Sequence, residues 1–186
     1  MEVGNSIQVF GGGVLPGGDL IVSGSQGGFP AIWQLNPTGS TLDPVFNGTG
    51  TFVGPSPGSF PSIAVDPANG DIFVTYDTSS ATAPFQVKVF SPFGRPEAPF
   101  GTSGLLNAFL GSTNSFLACP PPAPPPLARG RASATTGRAR AVTVRGDGKV
   151  LVAGSLGGKM AVARLPTGLI NRTMLPSSVR AVSLTR

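Results

Sequence analysis

Histidine is absent from the 186 residues. A Ser-His-Asp or Cys-His nucleophile, a His-ligated zinc and an imidazole general base are therefore excluded within this chain. Cysteine occurs once, at Cys119, which leaves no intrachain disulfide and no Cys pair with metal-binding spacing. Charged residues make up only 11%, and the aromatic set is twelve Phe with one Trp and one Tyr. No run of roughly 18 apolar residues occurs, so no membrane-spanning helix is expected. The opening MEVGNSIQVF has no basic stretch followed by an apolar core, and no secretory signal is visible.

What is present is glycine and proline. The 27 Gly and 20 Pro, beside a 40% hydrophobic fraction, fit short apolar strands separated by many turns. Charge is unevenly spread. Up to residue 118 Lys88 and Arg95 face seven acidic residues, whereas beyond it eleven basic residues face Asp147 alone. The formal +5 thus hides a weakly acidic first part and a basic C-terminal third.

Three stretches share one form: VLPGGDLIVSGS (14–25), IAVDPANGDIFVTYD (63–77) and VTVRGDGKVLVAGS (142–155). Each reads as an apolar strand, a Gly-containing turn and a second apolar strand. In the first copy, about 7–54, Leu20 to Val22 form a strand, Ser23 to Gly28 lead out of it, and Ile32 to Leu35 form a third. Asn36-Pro37-Thr38-Gly39 stops that third strand, and Thr51 to Val53 form a fourth. The second copy, about 62–110, has strands at Ile72–Tyr76 and Phe85–Phe90, with Ser91-Pro92-Phe93-Gly94 in the place of Asn36 to Gly39. Gly18 and Gly70 set a spacing in the range of propeller blades or solenoid coils. Residues 1–116 are accordingly read as two β repeats.

Residues 117–138 break the pattern. Cys119 to Pro126 favour extended polyproline II, and Leu127 to Arg140 have no apolar period, so a Pro/Ala/Arg-rich linker or insertion is expected, or the product of a shifted reading frame. Residues 139–186 hold the third repeat, with strands at Val150–Val152 and Met160–Leu165. Arg180 to Leu184 resemble Arg140 to Val144 and are read as the start of a fourth.

GDGKVLVAG (146–154) followed by MAVARL (160–165), and QLNPTGSTLDPVFNGTG (34–50), resemble the two halves of the delta-60 repeat of bacterial β-propeller-like proteins. An NHL-type propeller is the near alternative. The chain departs from the pattern at Pro16-Gly17-Gly18, which lacks the Asp, in Asp66–Gly70, which has an extra residue, and in the degraded end of the third copy. The resemblance implies an all-β chain of about three four-stranded antiparallel blades, an incomplete propeller that is either an open arc or a fragment. It also implies an extracellular or cell-surface setting. Incompleteness predicts exposed apolar faces and strand edges at the terminal blades, and with them self-association.

The residues that could carry chemistry also have structural roles. Asp19, Asp71 and Asp147 lie at hairpin turns, where Asp tolerates left-handed backbone angles, and Asp43 precedes Pro44 in another turn. Gly154 to Lys159 imitate a phosphate loop, yet Ala153 and Met160 stand where a Walker motif needs Gly and Ser or Thr. Arg145-Gly146-Asp147 spells an adhesion tripeptide whose Asp-Gly part is already the turn. Asn47-Gly48-Thr49 and Asn171-Arg172-Thr173 fit the glycosylation pattern. No catalytic, cofactor-binding or metal-ligating residue is assigned, and no cofactor.

The function expected from this reading is a non-catalytic repeat scaffold whose loops bind a protein or glycan, within a larger surface or secreted protein. The first alternative is a propeller hydrolase or lactonase-like enzyme with a carboxylate-lined channel including Asp43 and Asp77. The second is nucleic-acid binding through the basic C-terminal third, with Arg129, Arg131, Arg138 and Arg140 on phosphates.

Overall fold

The structure, a computed structural model, describes residues 6–78, 85–97, 105–108, 137–156, 159–165 and 180–182. Among these there is no helix, and so none long and apolar enough to cross a membrane. The chain is all-β. Sheet 1 is an antiparallel meander of β1 (Ile7–Val14), β2 (Leu20–Gln26), β3 (Phe29–Leu35) and β4 (Thr51–Val53). In sheet 2, β7 (Ile72–Thr78) is flanked on one side by the short β5 (Gly58–Ser59) and β6 (Ile63–Val65), and on the other by β8 (Phe85–Phe90) and then β9 (Leu105–Ala108). Sheet 3 runs β10 (Gly137–Val144), β11 (Val150–Leu156), β12 (Lys159–Leu165) and β13 (Arg180–Val182).

The first hairpin of each sheet closes in the same way. Leu15 N–H donates to the Asp19 carbonyl, Asp66 to Asp71, and Arg145 to Lys149, each at 2.8 Å. Gly18, Gly70 and Gly148 supply the left-handed residue, with φ of 94°, 80° and 73°. The extra residue in the Asp66 turn is absorbed locally, because Gly70 N–H reaches back four residues to Asp66, where Gly18 and Gly148 reach back three.

Three boundaries differ from expectation. Ser23 to Gln26 continue β2 and are not a loop, since Gly27 and Gly28, at φ 58° and 84°, make a two-residue turn whose twist matches the flanking strands. β10 begins at Gly137, inside the segment expected to have no fold: small residues alternate there with arginines, a period of two that the polar composition conceals. Residues 117–136 lie outside the described residues. Arg180–Val182, read as the start of a fourth repeat, pair along β12 in sheet 3, in the ladder place that β4 and β9 take in the other sheets.

Sheet 2 lies between the other two. Ile72, Val74 and Phe90 pack with Leu15, Ile21, Ile32 and Phe46 of sheet 1 and its loops. Residues of opposite parity on the same strands, Phe73, Val87 and Val89, pack with Val142, Val150, Val152 and Ala163 of sheet 3. A strand covered on both faces needs a continuous apolar run, which explains IFV in β7 where a half-buried strand would alternate. Ion pairs of Asp77 in β7 with Arg138 and Arg140 in β10 also join sheets 2 and 3, with the arginines exposed. Backbone bonds also join the layers: Gly58 N–H donates to Gly28 O at 3.0 Å and Phe60 N–H to Gly24 O at 3.1 Å.

Candidate functional site

Of the seven described carboxylates, six lie at the hairpin-turn end of the sheets and Asp77 lies at the other end of β7. The structure therefore does not bring Asp43 and Asp77 together. It does join Asp43 to Asp19: the buried Gln34 amide donates to Asp19 Oδ2 at 3.0 Å and to Asp43 Oδ2 at 3.2 Å. Asp43 Oδ1 also accepts the Val45 amide at 2.9 Å, an Asx-type turn through Pro44. Asp66 does the same for Ala68. These acids hold loops in shape. Gln34 was not anticipated, although a lone Gln between Trp33 and Leu35 in an apolar strand is the signal that could have flagged it.

Asp71 is buried and accepts from Asn69 Nδ2 at 2.8 Å. Its pKa is raised, first by burial and then by Glu97, against the lowering effect of Asn69. With the folded-state pKa above that of the unfolded chain, the ionised carboxylate disfavours folding at neutral pH. Stability is thus gained as pH falls through the folded pKa toward the ordinary 3.8. Asp71→Asn should remove that gain and leave the protein at least as stable as wild type at pH 7, which urea titrations at several pH values will check.

At the opposite end Asp77 Oδ2 meets Arg138 at 3.4 Å and Arg140 at 3.6 Å. Two of the four arginines considered for phosphate binding are thus already committed to a carboxylate; Arg129 and Arg131 lie outside the described residues. Asp147 of the RGD tripeptide is engaged by Lys149 Nζ at 2.6 Å and by Arg145 at 3.7 Å, and the Lys149 bonds lower its pKa. Leu156 and Lys159 of the phosphate-loop imitation are paired strand residues. Lys88 sits over the rings of Phe52, at 5.2 Å, and Phe90, at 5.4 Å. Burial lowers its pKa, while the ring faces favour the charge.

One surface feature is built from the loops of two sheets. Val45, Asn47 and Gly48, after β3, and Phe93 and Arg95, after β8, line an open depression of about 460 Å³. Asn47 N–H donates to the Phe93 carbonyl at 2.9 Å, tying the loops together. Beneath them Phe46 is fully buried against Gly94. Asn47 holds a left-handed φ of 51°, with its amide on the Thr51 carbonyl at 3.0 Å. Val45 is 60% exposed, Phe93 is 58% exposed, and the Arg95 guanidinium has no ion-pair partner among the described residues. Exposed apolar side chains thus lie beside a guanidinium that forms no ion pair among the described residues. Neither the protein-family models nor the curated proteins contain a match to the chain.

Proposed function

We propose that the chain is a non-catalytic scaffold of propeller-type repeat sheets, of the delta-60 kind, that presents loops to a protein or glycan partner of a surface or secreted protein. The depression between the β3 and β8 loops carries this reading. It supplies an aromatic ring for stacking on a sugar or an apolar side chain, and a guanidinium for a carboxylate or hydroxyl. Two anchors keep it preorganised, the Asn47–Phe93 bond and the Phe46 contact, so little ordering entropy opposes binding. The recurrence in all three sheets of a first hairpin with a left-handed glycine, followed by an antiparallel meander, supports the repeat part of the proposal.

A glycan array and a displayed peptide library, screened with the whole 186-residue chain, test it. Phe93→Ala and Arg95→Ala should each weaken a hit about tenfold or more, the loss of an interface anchor worth roughly 1.4 kcal/mol or above, with unchanged thermal stability. Hits indifferent to both substitutions, or substrate turnover by the purified protein, would overturn the reading.

A further inference from the structure

We propose that copies of this chain join head to tail, the outer face of sheet 3 on one copy packing against the outer face of sheet 1 on the next. This goes beyond the scaffold reading and is independent of its ligand.

The two internal contacts define what each face of a sheet binds. Counting from the turn glycines Gly18, Gly70 and Gly148, the third residue is Ile21, Phe73 or Leu151 and the fourth is Val22, Val74 or Val152. Ile21 packs forward on sheet 2 and Phe73 forward on sheet 3, while Val74 packs back on sheet 1 and Val152 back on sheet 2. The neighbouring strand obeys the same parity. Ile32 and Val87 point forward, and Ala163 points back. Every sheet thus has a forward face and a back face, and both observed contacts are forward against back.

Among the described residues, two faces are left over. The forward face of sheet 3 presents Leu151 and Val162 at the register positions of Phe73 and Val87, with the exposed Arg164 at that of Val89. Met160, two residues before Val162 on the same face, is 60% exposed. The back face of sheet 1 carries the half-buried Val22 and the buried Trp33, at the register positions of Val74 and Lys88. On that same face Val9 is 62%, Val14 59% and Val53 45% exposed. The leftover faces are therefore one forward and one back face, the two kinds already paired twice inside the molecule. A second copy continues the stack with the same forward-to-back geometry, as a heterologous interface that builds a ring or an open series.

Sedimentation of the whole chain up to about 100 µM, where a micromolar interface is populated, reads this directly. Wild type should give concentration-dependent species at multiples of 18.7 kDa. Val14→Glu, with a spoiled back face, and Leu151→Glu, with a spoiled forward face, should each sediment as monomers. Their equimolar mixture should form a species of twice the monomer mass and nothing larger, because each supplies the face the other lacks. Should Leu151→Glu fail to fold by circular dichroism, Met160→Glu replaces it on the more exposed rim of the same face. A wild type that is monomeric throughout, or a Val14→Glu variant that still associates by itself, overturns the proposal, the latter by revealing a contact between like faces.

Discussion

Gly24→Ala should cost about 3 kcal/mol of stability, the upper end of what an added methyl costs in a packed site, and lower the melting temperature by roughly 10 °C. Gly24 lies in β2 opposite Val9, where β1 carries an extra residue before Gly11. A Cβ at this position would land on the Gln8 carbonyl oxygen and stand 3.2 Å from Cζ3 of Trp33. A side chain could rotate away, but the Gln8 carbonyl is fixed in the ladder, so β1 must separate from β2. Thermal melts report the size of the effect, and faster amide exchange at residues 7–10 reports its place. Gly17→Ala is the matched control, with ordinary φ and nothing within 4 Å of the new carbon, and should stay within about 0.5 kcal/mol of wild type. A Gly24 variant as stable as that control would show that the strand crossing is looser than described.

Phe46→Ala should be the most damaging single truncation, at about 3–5 kcal/mol, because the ring is fully buried and its removal leaves a cavity. The ring spans two layers. It belongs to the LDPVF segment of the first repeat, yet a Cβ on Gly94, in the turn after β8, would lie 2.9 Å from it. Gly94 also has a φ of 77°, so Gly94→Ala should itself cost about 2 kcal/mol through left-handed strain and crowding. Only the crowding depends on Phe46. In the double variant the alanine at 94 should therefore cost about 1 kcal/mol less than it does alone, a coupling that a double-mutant cycle in urea will measure. Strict additivity would mean that the ring and the turn do not meet.

The strands were legible wherever branched or aromatic residues cluster between turn glycines, as in Ile72–Tyr76 and Phe85–Phe90. The turns at Gly18, Gly39, Gly70, Gly94 and Gly148 were legible because each needs a left-handed backbone that Gly adopts freely. Two strands were understated for one reason: Ser23 to Gln26 and Gly137 to Arg140 contain small or polar residues whose strand character comes from the partner they lie against. The likeness of Arg180 to Leu184 to Arg140 to Val144 marks a strand without saying which neighbour it joins, and Arg180–Val182 pair with β12. The depression could not be read at all, since Val45 and Phe93 are 48 residues apart in sequence. Only the stacking of the sheets makes them neighbours.

The first strand of each sheet contains one residue more than the strand it faces. Phe10 stands unpaired between Val9 and Gly11, Arg140 between Ala139 and Ala141, and in sheet 2 the stretch Phe60-Pro61-Ser62 faces only Thr75 and Tyr76. Side chains swap faces at each such point, which is how Phe60 comes to lie in the core with sheet 1. The facing of these strands therefore depends on residue count as well as on composition. A one-residue deletion between Ser59 and Ile63 would invert the facing of everything upstream in that strand and turn Phe60 out of the interior.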